Sequence, residues 1–505
     1  MKLYLNHSYR YAVEQTLMSL FPGDAPLYPE APPRAGENAL YSSLSYGKQW
    51  VTACAVLIHE GKQYRRRARA EIRALSDELE RGRVLQRMIR LSFYRAAADA
   101  LGEEPPWGAL TGVRPVKLPV KAMEHGLTRG QAETRMKSVY RVSPSRLELV
   151  MSCADACLAA KQTLTENEIS LYIGIPFCPS RCAYCSFVSA EVGRSLKLVE
   201  PFLEGLLEEV YTAGAMLRRT GKTVRSVYIG GGTPTTLSAS QLERLMGAVG
   251  DSFDLSRCTE YTVEAGRPDT ITAEKAAVIA ACGAGRTSVN PQSMEDAALR
   301  AMGRPHTAVD VLRAYELVRR TGSLSVNMDL IAGLPGSTPG GFFHSLDTVL
   351  SLEPENITVH TLALKKGSSL LTGGRFVLPS AEEVTSMLEY AWRALAQAGY
   401  KPYYLYRQKY MSGSFENVGW CMPGRQSIYN ICMMEELHSV LALGGGGITK
   451  LVNPATGAIR RISNPKYPRE YIERLPHILA EKEQMIWPIN SAKSTAASGR
   501  TPRDF

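Results

Sequence analysis

The chain has 505 residues, 45% apolar and 21% charged, and 59 Lys and Arg against 49 Asp and Glu give a formal charge of +10. These proportions describe a folded protein of two or three domains and exclude a disordered chain, a collagen and a small disulfide scaffold. The basic excess is mild for this length; it suits an anionic ligand without identifying one.

Residues 1–160 read as a separate α+β unit of unassigned role. Leu3–Leu5 is a short strand, Tyr9–Leu20 has helical spacing, and Pro22–Gly36 is a loop by its proline and glycine content. Gln49–Ile58 and Gln63–Ile72 form a hairpin across His59–Lys62. Arg65, Arg66, Arg67 and Arg69 in its second strand read as a solvated strand face. Helical periods return at Val84–Leu101 and Pro144–Leu164.

From about residue 170 the pattern alternates. Strands are predicted at Leu171–Ile175, Val224–Gly230, Tyr261–Ala265, Thr287–Asn290, Leu324–Gly333 and Ile357–Leu362, with helices between them. This rhythm demands a parallel sheet with helices outside it, and six units suit a partial (β/α)6 barrel over residues 165–375. The fold class is therefore α/β, with an N-terminal α+β domain and a C-terminal extension over 376–490. The polar tail 491–505 is expected to be disordered.

No run approaches the ~18 uninterrupted apolar residues of a membrane span, and the start MKLYLNHSYRYAVEQ is polar where a signal peptide would be apolar. A cytoplasmic location follows, with ten reduced cysteines more suited to metal or catalysis than to disulfides. Three of them, Cys178, Cys182 and Cys185, fall within eight residues directly after the first alternating strand, where a barrel gathers its chemistry. Three thiolates can hold three irons of a 4Fe–4S cluster and leave the fourth iron open to a chelating ligand. A structural zinc site normally takes four ligands, and no CxxC or HxxxH partner follows; a three-ligand catalytic zinc and plain burial stay open.

The segment Tyr172–Phe177 followed by CxxxCxYC resembles the radical S-adenosylmethionine (SAM) superfamily, in its oxygen-independent coproporphyrinogen III oxidase group. GGGTPT (Gly230–Thr235), VEAGRPDT (Val263–Thr270), SVNPQSM (Ser288–Met294), MGRPHT (Met302–Thr307) and NMDLIAGLPG (Asn327–Gly336) follow in the family's order. The flanks Leu110–Leu118 and Tyr404–Trp420 resemble its anaerobic coproporphyrinogen dehydrogenase branch, HemZ.

The resemblance implies a 4Fe–4S cluster on Cys178, Cys182 and Cys185, with SAM on the open iron. It implies SAM contacts from Tyr172, Tyr184, Gly232, Thr233, Glu264, Gln292, Arg304, Asp329 and Ala363, with Arg304 answering the SAM carboxylate. The implied reaction is oxidative decarboxylation of two propionates of coproporphyrinogen III to give protoporphyrinogen IX in haem biosynthesis. The implied partners are a tetrapyrrole substrate and a reducing donor such as flavodoxin or ferredoxin, with no nucleic acid. Arg407, Lys409 and Arg425 are candidate cations for the propionates, weighed against plain solvation. His306 and His360 are read as ordinary core or surface histidines.

One position departs from the pattern. Two residues after the third cysteine, where characterised oxidases carry another, stands Phe187, as in the haem-chaperone relatives. A haem-binding chaperone on the same barrel, or a radical SAM methyltransferase or haem-degrading enzyme, therefore stays beside the oxidase reading.

Overall fold

The computed structural model describes residues 1–505 except 22, 35, 76–77, 103, 186–189, 364–369, 371–376, 408–414 and 486–505. Phe187, Lys409 and the tail 491–505 lie outside the described residues. The chain divides into two compact units, Met1–Asp155 with Leu405–Asn417, and Ala156–Tyr404 with Val418–Phe505.

The first unit holds β1 (Lys2–Leu5), α1 (Arg10–Leu20), β2 (Ala39–Tyr46), β3 (Trp50–His59), β4 (Lys62–Glu71), α2 (Glu78–Leu101), α3 (Lys117–Glu124) and α4 (Arg129–Tyr140). The strands form one sheet in the order β1-β2-β3-β4, with β1 parallel to β2 and the rest antiparallel. Period-two alternation turns Val51, Ala53, Ala55 and Leu57 inward against Val13 and Leu17 of α1 and Leu85, Ile89 and Phe93 of α2. Strand β2 was not anticipated. Its inward positions run Leu40, Ser42, Leu44, and the serine breaks the apolar alternation by which a strand is recognised.

Helix α5 (Pro144–Thr163) leads into the second unit. There the strands are β5 (Glu168–Ile175), the two-residue pair β6 (Phe177–Cys178) and β7 (Ala190–Glu191), β8 (Thr223–Gly231), β9 (Glu260–Val263), β10 (Arg286–Ser288), β11 (Ser325–Ala332) and β12 (Asn356–Thr361). Between them lie α6 (Val192–Thr220), α7 (Ala239–Ser252), α8 (Ala273–Ala281), α9 (Asp296–Ala301), α10 (Ala308–Arg319) and α11 (Pro339–Ser351). Ser238 with Gln241 and Thr307 with Asp310 form capping boxes that fix where α7 and α10 begin. Six parallel strands stand in the order β5-β8-β9-β10-β11-β12, each beside its successor, which is the expected (β/α)6 arrangement.

Among the described residues the sheet does not close on itself. Beyond β12 it continues into β14 (Glu416–Cys421) and β13 (Lys401–Arg407). Beyond β5 it continues into β15 (Val440–Gly444), β16 (Ile448–Val452) and β17 (Ile459–Ser463). Strand β15 runs parallel to β5, and the seam is glycine against glycine: a Cβ on Gly444 would stand 2.4 Å from the carbonyl oxygen of Gly174. The Glu209 carboxylate of α6, fully buried, accepts from the Gly444 amide (2.7 Å), the Tyr471 hydroxyl (2.6 Å) and the Asn464 amide (2.9 Å). Buried Lys482 stands 3.5 Å away, so the C-terminal segment is tied to the barrel by one satisfied carboxylate. No helix among the described residues is long and apolar enough to cross a membrane.

Candidate functional site

The C-terminal ends of the parallel strands collect the predicted residues. Cys178 ends β6, whose parallel pairing with β7 (Cys178 opposite Glu191) draws together the two limbs of the cysteine loop. Inside the loop the Cys185 amide donates to the Cys182 carbonyl (3.0 Å), and the Ala183 amide donates to the Met302 carbonyl (3.0 Å). The Ser180 hydroxyl donates to the Gly303 carbonyl (3.0 Å). Tyr184 packs against Met302, Ile331, Leu334 and Leu370, and its hydroxyl meets Arg304. Burial raises the Tyr184 phenol above its ordinary range.

The Gly230–Thr233 turn runs directly beneath this loop. The Gly232 amide donates to the Ile175 carbonyl (2.8 Å) and the Thr233 amide to the Phe177 carbonyl (2.7 Å). A Cβ on Gly232 would lie 2.4 Å from the Phe177 carbonyl oxygen, so only glycine fits that approach. The Thr233 hydroxyl reaches the Cys178 sulfur at 3.5 Å.

Glu264, directly after β9, and Asp329, within β11, have opposite electrostatics. Burial, then the nearby Asp329 carboxylate, pushes the Glu264 carboxyl up to about 7, against hydrogen bonds from the Gly231 amide and the Tyr228 hydroxyl. Burial works against the Asp329 carboxylate too, but His360, Asn327 and Thr358 hold it below the usual range. The Asn327 amide donates to Asp329 at 2.8 Å, and the His360 ring lies 3.7 Å away. One inward group is thus poised near neutrality while its neighbour is fixed as an anion.

Gln292 has the left-handed backbone rare outside glycine (φ +66°). Two bonds hold it there: its amide donates to the Asp329 carbonyl (2.9 Å), and its carbonyl accepts from the Ile331 amide (2.9 Å). Arg304 is buried and donates from Nη1 to the Asn290 carbonyl (2.9 Å), with Tyr184 and Cys182 as its electrostatic neighbours. The Asn290 side-chain oxygen in turn accepts from the Asp329 amide (3.3 Å), so a continuous run of contacts joins Cys182, Arg304, Asn290, Asp329 and Gln292. Tyr172 stacks on Tyr228 at 6.3 Å, and Tyr228 on Tyr429 at 4.5 Å, an aromatic row beside Glu264. Ala363 is buried just past β12.

Several participants were not expected. Asn290 and Tyr228 sit inside quoted motifs or strands without a spacing that marks them. Arg267, from VEAGRPDT, is buried under the cysteine loop, and His360, an ordinary half-buried histidine, has the Asp329 carboxylate as its neighbour. Two candidate cations are corrected. Arg407 is buried within the first unit, bonded to the Leu110 carbonyl and lying over the Trp107 ring at 5.1 Å, so it is no exposed propionate ligand. Arg425 is exposed, but it lines a cavity of about 550 Å³ at the opposite, N-terminal ends of the strands, with Cys258, Glu260, Tyr261, Cys282 and Arg286.

The residues present fit a cluster and SAM. Buried Arg304 Nε has no hydrogen-bond partner, an unspent donor suited to a carboxylate, and the Gly232 turn leaves a floor that a Cβ would block. Among the described residues no three His, Cys, Asp or Glu side chains converge on one point as a single ion requires. A cubane takes its thiolates at separate irons and does not need that convergence.

Residues 172–349 match the family model described as the radical SAM superfamily. The chain is 42% identical over 380 residues to the oxygen-independent coproporphyrinogen-III oxidase-like protein HemZ of Bacillus subtilis, covering 74% of this chain and 76% of that one. It is 33% identical over 282 residues to the haem chaperone HemW of Lactococcus lactis, covering 55% of this chain and 69% of the relative. Among solved structures it resembles the coproporphyrinogen III oxidase HemN of Escherichia coli, with a TM-score of 0.51 and 22% identity over 64% of this chain and 72% of that one.

Proposed function

Because the chain belongs to the radical SAM superfamily, in the coproporphyrinogen-III oxidase-like family that includes HemZ, we propose that it performs the oxygen-independent oxidative decarboxylation of coproporphyrinogen III to protoporphyrinogen IX. The observation that carries this reading is the extent of the HemZ match. It reaches 74% of the chain, whereas the chaperone matches stop at 46–60%.

In this reading Cys178, Cys182 and Cys185 hold the 4Fe–4S cluster, and Gly232, Thr233, Gln292, Arg304, Glu264, Asp329, Tyr172, Tyr184 and Ala363 surround SAM. Cluster and SAM together supply a one-electron cleavage that yields a hydrogen-abstracting carbon radical. The chain supplies orientation. Arg304 offers its unspent Nε–H to the SAM carboxylate, and the glycine floor lets backbone carbonyls approach the ammonium. Asp329, held ionised, accepts from donor groups of the ligand, while Glu264 can accept or donate near neutral pH. Each reacting propionate loses one hydrogen atom, one carbon dioxide and one electron, leaving a vinyl group, with the electron passing to an acceptor.

The test is anaerobic incubation of the reconstituted protein with SAM, dithionite and coproporphyrinogen III. Protoporphyrinogen IX formed together with 5′-deoxyadenosine supports the proposal. A second reading, a haem chaperone, draws on the HemW relatives and on Phe187; it predicts stoichiometric haem binding with no vinyl product. Deoxyadenosine without decarboxylation would point to another radical SAM substrate.

A further inference from the structure

The Arg267 guanidinium has five N–H donors, and the structure gives each of them an acceptor. Its carrier is a tight turn after β9 in which Pro268 opens the single 3-10 turn Pro268–Thr270 and swings Asp269 back toward Arg267. Nε and Nη2 grip the two Asp269 oxygens at 2.9 and 3.0 Å. That fork fixes the plane of the group and aims its far edge at the cysteine loop. Nη2 also donates to the Ser180 hydroxyl (3.2 Å), while Nη1 donates to the Ser180 carbonyl (3.4 Å) and to the Cys182 sulfur (3.7 Å). Arg267 is 3% exposed while Ser180, Cys182 and the Asp269 side chain are half-buried, so these contacts are partly shielded and screened less than surface pairs.

The thiols differ in what meets them. Cys178 receives a neutral hydroxyl from Thr233, whereas Cys182 receives a hydrogen bond from the Arg267 guanidinium and has the Arg304 guanidinium as a charged neighbour. Charged N–H donors to a ligating sulfur draw electron density from it and favour the more negative, reduced state of a cluster. Behind Arg267, Asp269 returns a negative charge and lies 3.7 Å from the buried His306 ring. The result is an oriented charge pair, positive end toward the sulfur.

We propose that Arg267 is a positioning residue for the cluster: it pins the cysteine loop at Ser180 and, through its N–H to Cys182, raises the cluster's reduction potential. This rests on Cys182 being a cluster ligand and not on which tetrapyrrole, if any, the protein converts. A loop anchor and an electrostatic tuner differ in sign. R267M removes the cation and leaves the Asp269 carboxylate, which lowers the potential. D269N removes the anion behind a retained cation, which raises it. A purely mechanical anchor would reduce cluster retention in both variants and move neither potential in an opposed sense.

The experiment is anaerobic reconstitution of the full chain with iron and sulfide, iron quantified per chain, and potentiometric titration followed by the EPR signal of the reduced cluster. In R267M the reduced-to-oxidised ratio at fixed ambient potential is expected to fall about tenfold, equivalent to about 59 mV for a one-electron couple. R267K, which keeps the charge but not the fork, recovers part of that loss, and D269N shifts the other way. Wild-type iron content with an unchanged potential in R267M overturns the proposal, as does a shift of both variants in the same direction. If R267M holds no iron, D269N decides: a rise supports the proposal and a fall or no change overturns it. A wild-type protein that binds no iron and sulfide overturns the ligand assignment and this inference with it, whereas failure to convert coproporphyrinogen leaves every one of these readouts in place.

Discussion

The two ends of the parallel strands hold the same kinds of residue and put them to different use. The C-terminal end has three thiols, two buried guanidiniums and two carboxylates; the N-terminal end has Cys258, Cys282, Arg286, Arg425 and Glu260 around a cavity of about 550 Å³. At the N-terminal end the charged groups are spent on the fold. Glu260 accepts from the Ser427 hydroxyl (2.7 Å) and the Ile428 amide (2.6 Å), and Arg286 is bonded to Asn356 and to the Arg425 carbonyl. At the C-terminal end Arg304 keeps an unpartnered Nε and Glu264 is driven up to about 7. Burial alone does not mark a site, nor does one unsatisfied atom, since the buried Tyr261 hydroxyl at the N-terminal end also lacks a partner; what sets the C-terminal end apart is an unpartnered guanidinium donor together with a carboxyl held near neutrality.

The sharpest way to break this comparison is thiol by thiol. Cys182→Ala is expected to abolish SAM cleavage and bleach the broad Fe–S absorbance near ~400 nm, read by iron analysis and visible spectroscopy. Next, Gly232→Ala forces a Cβ against the Phe177 carbonyl and should weaken SAM binding about 100-fold, measured by equilibrium dialysis. Third, Glu264 has a folded-state pKa above its unfolded one, so the native state binds the extra proton. The contribution of Glu264 to stability should be greatest below about pH 4.3 and be lost as pH rises through about 7, by at most about 4 kcal/mol, so it is read as the difference between wild type and E264Q. Melting curves of the SAM-free protein should show this slope, and E264Q should flatten it.

Smaller effects belong to the other end. E260Q should cost about 1.5–3 kcal/mol of stability by weakening two hydrogen bonds to a charge, while SAM affinity and iron content stay unchanged. C258S and C282S should each shift stability by no more than about 1 kcal/mol and leave the cluster spectrum intact. Loss of iron in either one would erase the distinction between the two ends.

Much of this was legible in the sequence because the barrel repeats one physical unit. Each βα segment announces itself by an apolar run, a turn and a helical period, and the cysteine spacing needs no tertiary knowledge. What escaped depended on partners distant along the chain. Arg407 read as an open cation because nothing local shows that the Leu110 carbonyl and the Trp107 ring enclose it. Arg267 escaped because an arginine before a proline has no periodicity; the available signal was the Arg-Pro-Asp spacing, which lets a 3-10 turn fold the carboxylate onto the guanidinium. Strand β15 escaped because its short apolar run, Val440–Leu443, leads straight into Gly444–Gly447, which reads as a loop, although Gly444 is what permits the close seam with β5.

The outermost strand beyond that seam, β17, has the sequence Ile-Arg-Arg-Ile-Ser, with Arg460 and Arg461 exposed. An open sheet offers a free row of backbone donors and acceptors that a second molecule could extend without limit, and parallel strands such as β5 would be the most hydrophobic template for it. Ending the sheet on a short ribbon that carries Arg460 and an Arg461 paired with Glu436 (3.0 Å) disfavours such pairing, because a second copy would bring like charges together at that edge.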